Sequence, residues 1–173
     1  MHPGKLSIIL LAYQSEKRLE KAVTEIDTSL SAAGIPHEIV IIDDGSTDQS
    51  FAKARELAQR MENISAYSLS RNYTSPMAQF AGLEMCTGQC ACPMPDDGQR
   101  PIAHIIDMYR LWEKGHKIIL GSREGREDGR VNDFFSNGYY SFMNRFSEIT
   151  FPPGGSDGYL IDREIIDLLN TRI

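Results

Sequence analysis

Two adjacent carboxylates follow a run of β-branched apolar residues in the first third of the chain. The apolar run covers residues 39–42, Asp43 and Asp44 come next, and Gly-Ser-Thr-Asp follows at 45–48. Such a run is typical of a strand buried on both faces, and ligands bind at the carboxyl edge of open α/β sheets. Acids there can accept hydrogen bonds from a sugar ring or a base edge, or bind a metal indirectly. A capped strand-to-helix turn explains the same residues without any ligand.

Three more polar clusters follow predicted strands, and they are Tyr13-Gln14-Ser15, Asp96-Asp97-Gly98-Gln99 and Gly121-Ser122-Arg123. Because parallel strands end at the same edge of a sheet, we expect all four clusters to line one rim. Carboxylate and amide oxygens suit a hard divalent cation that also holds a diphosphate. Arginine forks suit phosphate oxygens. The sequence therefore predicts a site for a nucleotide diphosphate with a metal.

Hydrophobic periodicity predicts alternating strands and helices. Strands are expected over residues 6–11, 37–43, 65–68, 90–94, 118–120 and 159–161. Helices are expected over residues 16–33, 50–61, 77–86, 102–114 and 134–146, with a last one from about 162. Ser15 is the expected cap of the first helix. A βαβ series of this kind predicts an α/β fold built on a parallel sheet.

Composition limits the function classes. The 173 residues predict one domain, and the net charge of −6 with no basic stripe argues against nucleic-acid binding. The sequence has neither an 18-residue apolar run nor a signal peptide. Its three cysteines lack Cys-x-x-Cys spacing and predict buried, reduced thiols of a cytoplasmic protein.

These elements together resemble the catalytic domain of family-2 glycosyltransferases. The resemblance covers nearly all of the chain and rests on Ala12-Tyr13, the segment from Ile42 to Asp48, Ser70-Arg71-Asn72, Ala81-Gly82 with Thr87-Gly88, and the acidic loop. It implies the GT-A fold, a Rossmann-like, mostly parallel sheet flanked by helices. It also implies an inverting transferase of hexosyl groups that uses a UDP- or GDP-sugar together with Mg²⁺ or Mn²⁺.

The second half of the chain resembles the polyprenyl-phosphate sugar transferases, the relatives of dolichyl-phosphate mannose synthase. Residues 97–101 are similar to their Asp-Leu-Gln-x-Pro loop, and residues 155–163 to their Gly-Asp-Phe-Arg-Leu-x-Asp-Arg segment. Residues 121–123 and 136–144, with Arg126 and Arg130 between them, resemble their arginine loop and the following helix. The resemblance implies a polyprenyl phosphate acceptor, and it is compatible with peripheral association at the inner face of a membrane.

Carried over to this chain, the resemblance implies three sets of site residues. Nucleotide-sugar contacts are expected from Ala12, Tyr13, Ser15, Asp43, Asp44, Arg71, Asp96 and Asp97. The expected metal ligands are Asp97 and Gln99. The expected catalytic residues are Asp157, Arg123 and Arg130, with Asp157 as the base if the acceptor is a hydroxyl.

Some positions depart from the family pattern and keep other functions open. Pro95 stands where the first aspartate of Asp-x-Asp is usual, Thr74 where a glycine is usual, and Tyr159 where the subgroup has an arginine. The chain also ends early for this subgroup, as a fragment, a truncated piece or a diverged protein would. One alternative is transfer to a sugar hydroxyl in polysaccharide or cell-envelope glycan synthesis, and another is a degenerate nucleotide-sugar-binding domain. A sugar nucleotidyltransferase or an oxidoreductase would need glycine-rich loops that are absent. The sequence gives no indication of the oligomeric state.

Overall fold

The computed structural model describes residues 4–122 and 156–171. The elements are β1 (Leu6–Ala12), α1 (Leu19–Ala32), β2 (His37–Asp43), α2 (Ser50–Arg60), β3 (Ile64–Ser68), α3 (Ser75–Met85), β4 (Cys90–Pro95), α4 (Ile102–Glu113), β5 (Ile118–Ser122), β6 (Ser156–Asp162) and α5 (Arg163–Asn170). The strands form one sheet in the order β3-β2-β1-β4-β6-β5.

Most of the sheet is parallel. Strand β1 pairs in parallel with β2 and β4, and β2 pairs in parallel with β3, whereas β6 runs antiparallel between β4 and β5. The carboxyl ends of β1 to β5 and the start of β6 therefore lie at one edge, which we call the carboxyl edge. The opposite edge is called the amino edge. The predicted mostly parallel α/β sheet is confirmed. The sequence of β6 does not reveal that this strand runs antiparallel to its neighbours.

The sheet is covered on both faces. The inward sides of α1, α2 and α4 pack on one face, and those of α3 and α5 pack on the other. The sequence of β2 is continuously apolar because both of its faces are buried. Ile39 and Ile41 point to the first face, and Val40 and Ile42 point to the second. Among the helices in the described ranges, none is both long and apolar enough to cross a membrane.

The predicted element bounds agree with the structure to within three residues where both exist. The largest difference in a helix is at α1, which begins at Leu19 and has no side-chain cap. The expectation that Ser15 caps α1 is wrong, because its hydroxyl accepts the Tyr13 N–H instead. The helix predicted over residues 134–146 lies outside the described residues.

The cysteines behave as the sequence predicts. Cys86, Cys90 and Cys92 are buried and form no disulfide. Burial raises the pKa of the Cys92 thiol to about 11, so this sulfur stays protonated at neutral pH.

One partly buried carboxylate holds the amino edge together. Glu38, near the start of β2, accepts hydrogen bonds from the Lys5 ammonium at 2.8 Å and the Ser7 hydroxyl at 2.7 Å. It also accepts from the N–H and hydroxyl of Thr87 and from the Gly88 N–H. Burial alone would raise the pKa of Glu38, but hydrogen bonds from Lys5, Ser7 and Thr87 outweigh it and lower the pKa to about 2. Glu38 thus ties β1, β2 and the α3–β4 loop together as a carboxylate.

Candidate functional site

The end of β2 supplies two buried acids. Asp43 is 1% exposed, and its Oδ2 accepts the Ser68 hydroxyl at 2.9 Å and the Ser46 N–H at 3.3 Å. Its Oδ1 is buried and has no hydrogen-bond partner among the residues that the structure describes. Because a buried carboxylate oxygen without a partner is costly, Asp43 is a position where a ligand donor would be favourable.

Asp44 connects the end of β2 to both neighbouring loops. Its N–H donates to the Ala12 carbonyl at 2.9 Å, and its Oδ1 accepts the Tyr73 N–H at 2.8 Å. Gly45 follows with φ +68°, and a Cβ there would lie 2.4 Å from the carbonyl carbon of Arg71. The turn after β2 therefore requires glycine, because it presses against the backbone of the loop after β3.

The loop after β1 is held in a strained shape by its neighbours. Gln14 has φ 52°, and its N–H and side-chain amide donate to the hydroxyls of Ser46 and Thr47. Tyr13 is 45% exposed at the mouth of the site. Ser15 is fully buried and donates its N–H to the Ser50 hydroxyl, so it shapes the loop from behind and does not reach the surface.

The loop after β3 forms another wall. Thr74 has φ 76° and ψ 159°, a conformation in which glycine is favoured, and its N–H donates to the Asn72 side chain. The Arg71 guanidinium lies 4.7 Å from the centre of the Tyr73 ring. A hydrogen bond from Ser70 and the charge of Arg71 lower the pKa of the Tyr73 hydroxyl.

The loop after β4 carries the predicted metal ligands. Asp96 is 5% exposed, whereas Asp97 and Gln99 are exposed on a turn around Gly98, which has φ +69°. Asp97 Oδ1 accepts the Gln99 N–H at 2.9 Å. Within the described residues, no group of three or more His, Cys, Asp or Glu side chains is arranged to hold a metal.

Arg18 is a site residue that the sequence analysis missed. Its Nε donates to Asp96 Oδ2 at 2.9 Å, and its Nη2 donates to the Tyr13 carbonyl at 2.9 Å and to the Ser15 hydroxyl at 3.0 Å. The ion pair joins the loops after β1 and β4. A single arginine at the start of an amphipathic helix resembles any solvated charge, so the sequence offers no signal for this role.

These loops enclose a cleft of about 480 Å³ at the carboxyl edge. Its lining contains the predicted residues Ala12, Tyr13, Asp44, Asp96 and Asp97, together with Leu11, Arg18, Asn72, Thr74, Ser75, Ala78 and Pro95. Asp43 and Ser15 lie behind the lining, and Arg71 and Gln99 do not contribute to it. We call this space the carboxyl-edge cleft.

The end of β5 and the start of β6 lie at the same edge. A Cβ at Gly158 of β6 would lie 2.2 Å from Nη2 of Arg100, which follows β4, and this contact brings the start of β6 next to the acidic loop. Asp157 therefore has its backbone at the carboxyl edge. Arg123, Arg126 and Arg130 lie outside the described residues.

Solved structures share this fold. Glucosyl-3-phosphoglycerate synthase from Mycobacterium tuberculosis, in complex with Mn²⁺, UDP and phosphoglyceric acid, aligns with a TM-score of 0.64 at 18% identity over 94% of this chain and 57% of its own. The mannosyltransferase PcManGT from Pyrobaculum calidifontis, in complex with GDP-Man and Mn²⁺, aligns with a TM-score of 0.62 at 13% identity over 98% of this chain and 47% of its own.

Curated relatives match over most of the chain. An uncharacterized glycosyltransferase of Synechocystis is 28% identical over 95% of this chain and 52% of its own length. The prophage bactoprenol glucosyl transferase homolog of Escherichia coli is 28% identical over 94% of this chain and 54% of its length. The undecaprenyl-phosphate 4-deoxy-4-formamido-L-arabinose transferase of Klebsiella pneumoniae is 29% identical over 72% of this chain and 38% of its own length.

The chain thus spans about half the length of the curated relatives that match most of it. The sequence model described as glycosyl transferase family 2 matches residues 7–167, which include every wall of the carboxyl-edge cleft. The chain therefore belongs to glycosyl transferase family 2.

Proposed function

We propose that this chain is the catalytic domain of an inverting glycosyltransferase that moves a sugar from a nucleotide-diphosphate sugar to a polyprenyl phosphate. The observation that carries the proposal is the carboxyl-edge cleft, where the segments after β1, β2, β3 and β4 meet in a chain of this family. Relatives named for bactoprenol and undecaprenyl phosphate support the acceptor class.

The nucleoside is assigned to the end of β2. Asp43 Oδ1 is a buried acceptor without a partner, and the N–H group of a base would satisfy it. The half-exposed Tyr13 ring offers an aromatic surface at the cleft mouth. Asp44, held by Tyr73, is the acid that we assign to the ribose.

A divalent cation fits the loop after β4. Asp97 and Gln99 offer a carboxylate and an amide oxygen on an exposed turn, and Mg²⁺ commonly binds to one or two protein carboxylates plus substrate phosphates. When bound, Mg²⁺ or Mn²⁺ would stabilise the negative charge of the leaving diphosphate. The acidic lining of the cleft supports this need for a cation, because Asp44, Asp96 and Asp97 face an anionic donor.

The acceptor class decides which side chains the chemistry needs. A phosphate oxygen is already ionised at neutral pH and attacks the anomeric carbon from the side opposite the leaving diphosphate, without a base. Arg123 and Arg130 are proposed to hold that phosphate through forked hydrogen bonds. A hydroxyl acceptor would instead require a general base, for which Asp157 is the candidate.

A degenerate binding domain is the second candidate. Pro95 precedes the acidic loop, and Asp96 is engaged by Arg18, so one predicted donor contact is occupied by a protein group. Such a domain would bind nucleotide sugars without transferring the sugar.

The acceptor proposal can be tested with sugar-labelled UDP-glucose and GDP-mannose. We expect labelled lipid to form from a short-chain polyprenyl phosphate in detergent with Mn²⁺, and none to form from the free polyprenol of equal length. Arg130→Ala should reduce transfer more than nucleotide binding, while Arg60→Ala, at an exposed arginine of α2, should change neither. Transfer to a sugar hydroxyl that depends on Asp157 would contradict the proposal, and nucleotide binding without any transfer would favour the degenerate domain.

The metal assignment has a separate test. Asp97→Asn should abolish the gain in nucleotide affinity that Mn²⁺ gives, as measured by calorimetry with UDP and GDP. Asp107→Asn, at an exposed position of α4, is the matched control and should retain the gain. Nucleotide binding by the wild type that is indifferent to a chelator would overturn the metal assignment.

A further inference from the structure

Arg18 is fixed at the carboxyl-edge cleft by three hydrogen bonds. Two of its three guanidinium nitrogens are engaged, Nε with Asp96 and Nη2 with the Tyr13 carbonyl and the Ser15 hydroxyl. Ser15 is itself fully buried and Asp96 is 5% exposed, so the partners are rigid. The guanidinium plane is therefore set before any ligand arrives.

One nitrogen of Arg18 remains available. Nη1 makes no hydrogen bond to any residue that the structure describes, and 48% of the side-chain surface is exposed. Because Arg18 lines the cleft, Nη1 is a charge-assisted donor that a ligand in the cleft can meet.

The charges of the cleft favour an anionic ligand at Arg18. Among the described residues that line the cleft, Arg18 is the only cation, and it faces the acids Asp44, Asp96 and Asp97. A nucleotide diphosphate entering this acidic space needs positive charge beside its phosphates. The two N–H groups of Nη1 provide it as charge-assisted hydrogen-bond donors.

We propose that Arg18 binds the diphosphate of the nucleotide-sugar donor through Nη1 and stabilises the nucleotide as it leaves. The inference rests on the proposed function. In the transfer, the bond from the anomeric carbon to the diphosphate oxygen breaks and its electron pair stays on that oxygen. The new bond forms to an oxygen of the acceptor phosphate. Arg18 stays protonated throughout and contributes charge and hydrogen bonds only.

This assignment makes a prediction that a purely structural Arg18 does not. A clamp would support the nucleoside and the diphosphate parts of the ligand equally, because it shapes the whole cleft. If Arg18 binds the diphosphate, a change at Arg18 should weaken the binding of ligands that carry phosphates and leave the affinity for the nucleoside unchanged. Uridine and UDP, or guanosine and GDP, therefore separate the two roles.

The experiment is calorimetric titration of the wild type and of two variants with uridine, UDP, guanosine and GDP, each in Mn²⁺ and in EDTA. Arg18→Lys keeps the charge and loses the hydrogen bonds that fix its position. The double variant Arg18→Gln/Asp96→Asn removes both charges, so no buried carboxylate is left unpaired. Arg60→Gln, at an exposed ion pair of α2, is the matched control, and thermal melts report whether each variant folds.

We expect the double variant to bind the cognate diphosphate about 10- to 100-fold more weakly, with the larger loss in EDTA and with unchanged nucleoside affinity. Arg18→Lys should fall between this variant and the wild type. Equal losses for nucleoside and diphosphate, or no loss for either, would overturn the assignment of Arg18. If the wild type binds neither UDP nor GDP, the proposed function fails and the assignment fails with it.

Discussion

Strand β2 carries one acid near each end, Glu38 partly buried and Asp43 fully buried, and the two carboxylates differ in how far their hydrogen bonds are satisfied. Glu38, at the amino edge, accepts five hydrogen bonds from Lys5, Ser7, Thr87 and Gly88. Asp43, at the carboxyl edge, leaves Oδ1 buried with no partner in the described ranges 4–122 and 156–171. The same strand thus ends in a completed polar cluster on one side and an incomplete one on the other.

Backbone strain follows the same division. Among the described residues other than glycine, the positive φ angles belong to Gln14 and Thr74, which both flank the carboxyl-edge cleft. Strain and unsatisfied polar groups persist where function requires them. From this comparison we expect the amino edge to stabilise the sheet and the carboxyl edge to bind a ligand.

Breaking the amino edge should have the largest effect. Glu38→Ala removes the carboxylate, which leaves the Lys5 ammonium without its counter-ion and the Thr87 N–H without its acceptor, while the Gly88 N–H keeps the Ser7 hydroxyl as a second acceptor. Because Glu38 is only partly buried, we expect the free energy of unfolding to fall by about 3 kcal/mol. Denaturant titration measures it, with Glu56→Ala, at an exposed ion pair, as control. A loss below about 1 kcal/mol would mean that the cluster does not hold the edge.

Acid should break the same cluster in the wild type. The pKa of Glu38 is lowered from 4.5 to about 2, so its contribution is complete above pH 4.5 and is lost as the pH falls through about 2. We expect a decline of about 3 kcal/mol from this group over that range. Unfolding curves of wild type and Glu38→Gln should converge toward pH 2, and a constant difference between them would contradict the assignment.

Changing the acid at the carboxyl edge should affect binding and leave stability nearly unchanged. Asp43→Asn retains an acceptor for Ser68 and Ser46 but replaces the unpartnered oxygen with a donor. We expect nucleotide affinity to fall by about 2 kcal/mol, or roughly 30-fold, with the free energy of unfolding within about 0.5 kcal/mol of the wild type. Calorimetry and denaturant titration measure the two quantities, and a loss of stability without a loss of affinity would contradict the comparison.

The smallest expected effect is a gain in stability at Thr74. Thr74→Gly relieves a backbone conformation that is unfavourable for a β-branched residue, and we expect it to raise the free energy of unfolding by about 1 kcal/mol. Thr28→Gly, the same change at an exposed position of α1, should instead lower the free energy of unfolding by about 0.4 kcal/mol. Thermal melts compare the two, and equal losses would show that Thr74 is not strained.

The sequence predicts those parts of the site that follow from strand burial. Asp43 and Asp44 could be placed at a sheet edge because residues 39–42 have to be buried on both faces. The role of Arg18 could not be predicted, because its partner Asp96 lies 78 residues away in sequence and no local pattern links the two residues. Glu38 was missed for the same reason, since its donors come from β1 and from the loop between α3 and β4.

The most direct measurement is amide hydrogen exchange of the wild-type chain with and without Mn²⁺ and saturating UDP or GDP. We expect slower exchange at residues 12–15, 43–46, 72–75 and 95–99, around the carboxyl-edge cleft. We expect unchanged exchange at residues 5–7, 37–39 and 86–89, around Glu38. Protection centred on the amino edge, or none at the carboxyl edge while the nucleotide is bound, would contradict the assignment of the nucleotide to the carboxyl-edge cleft.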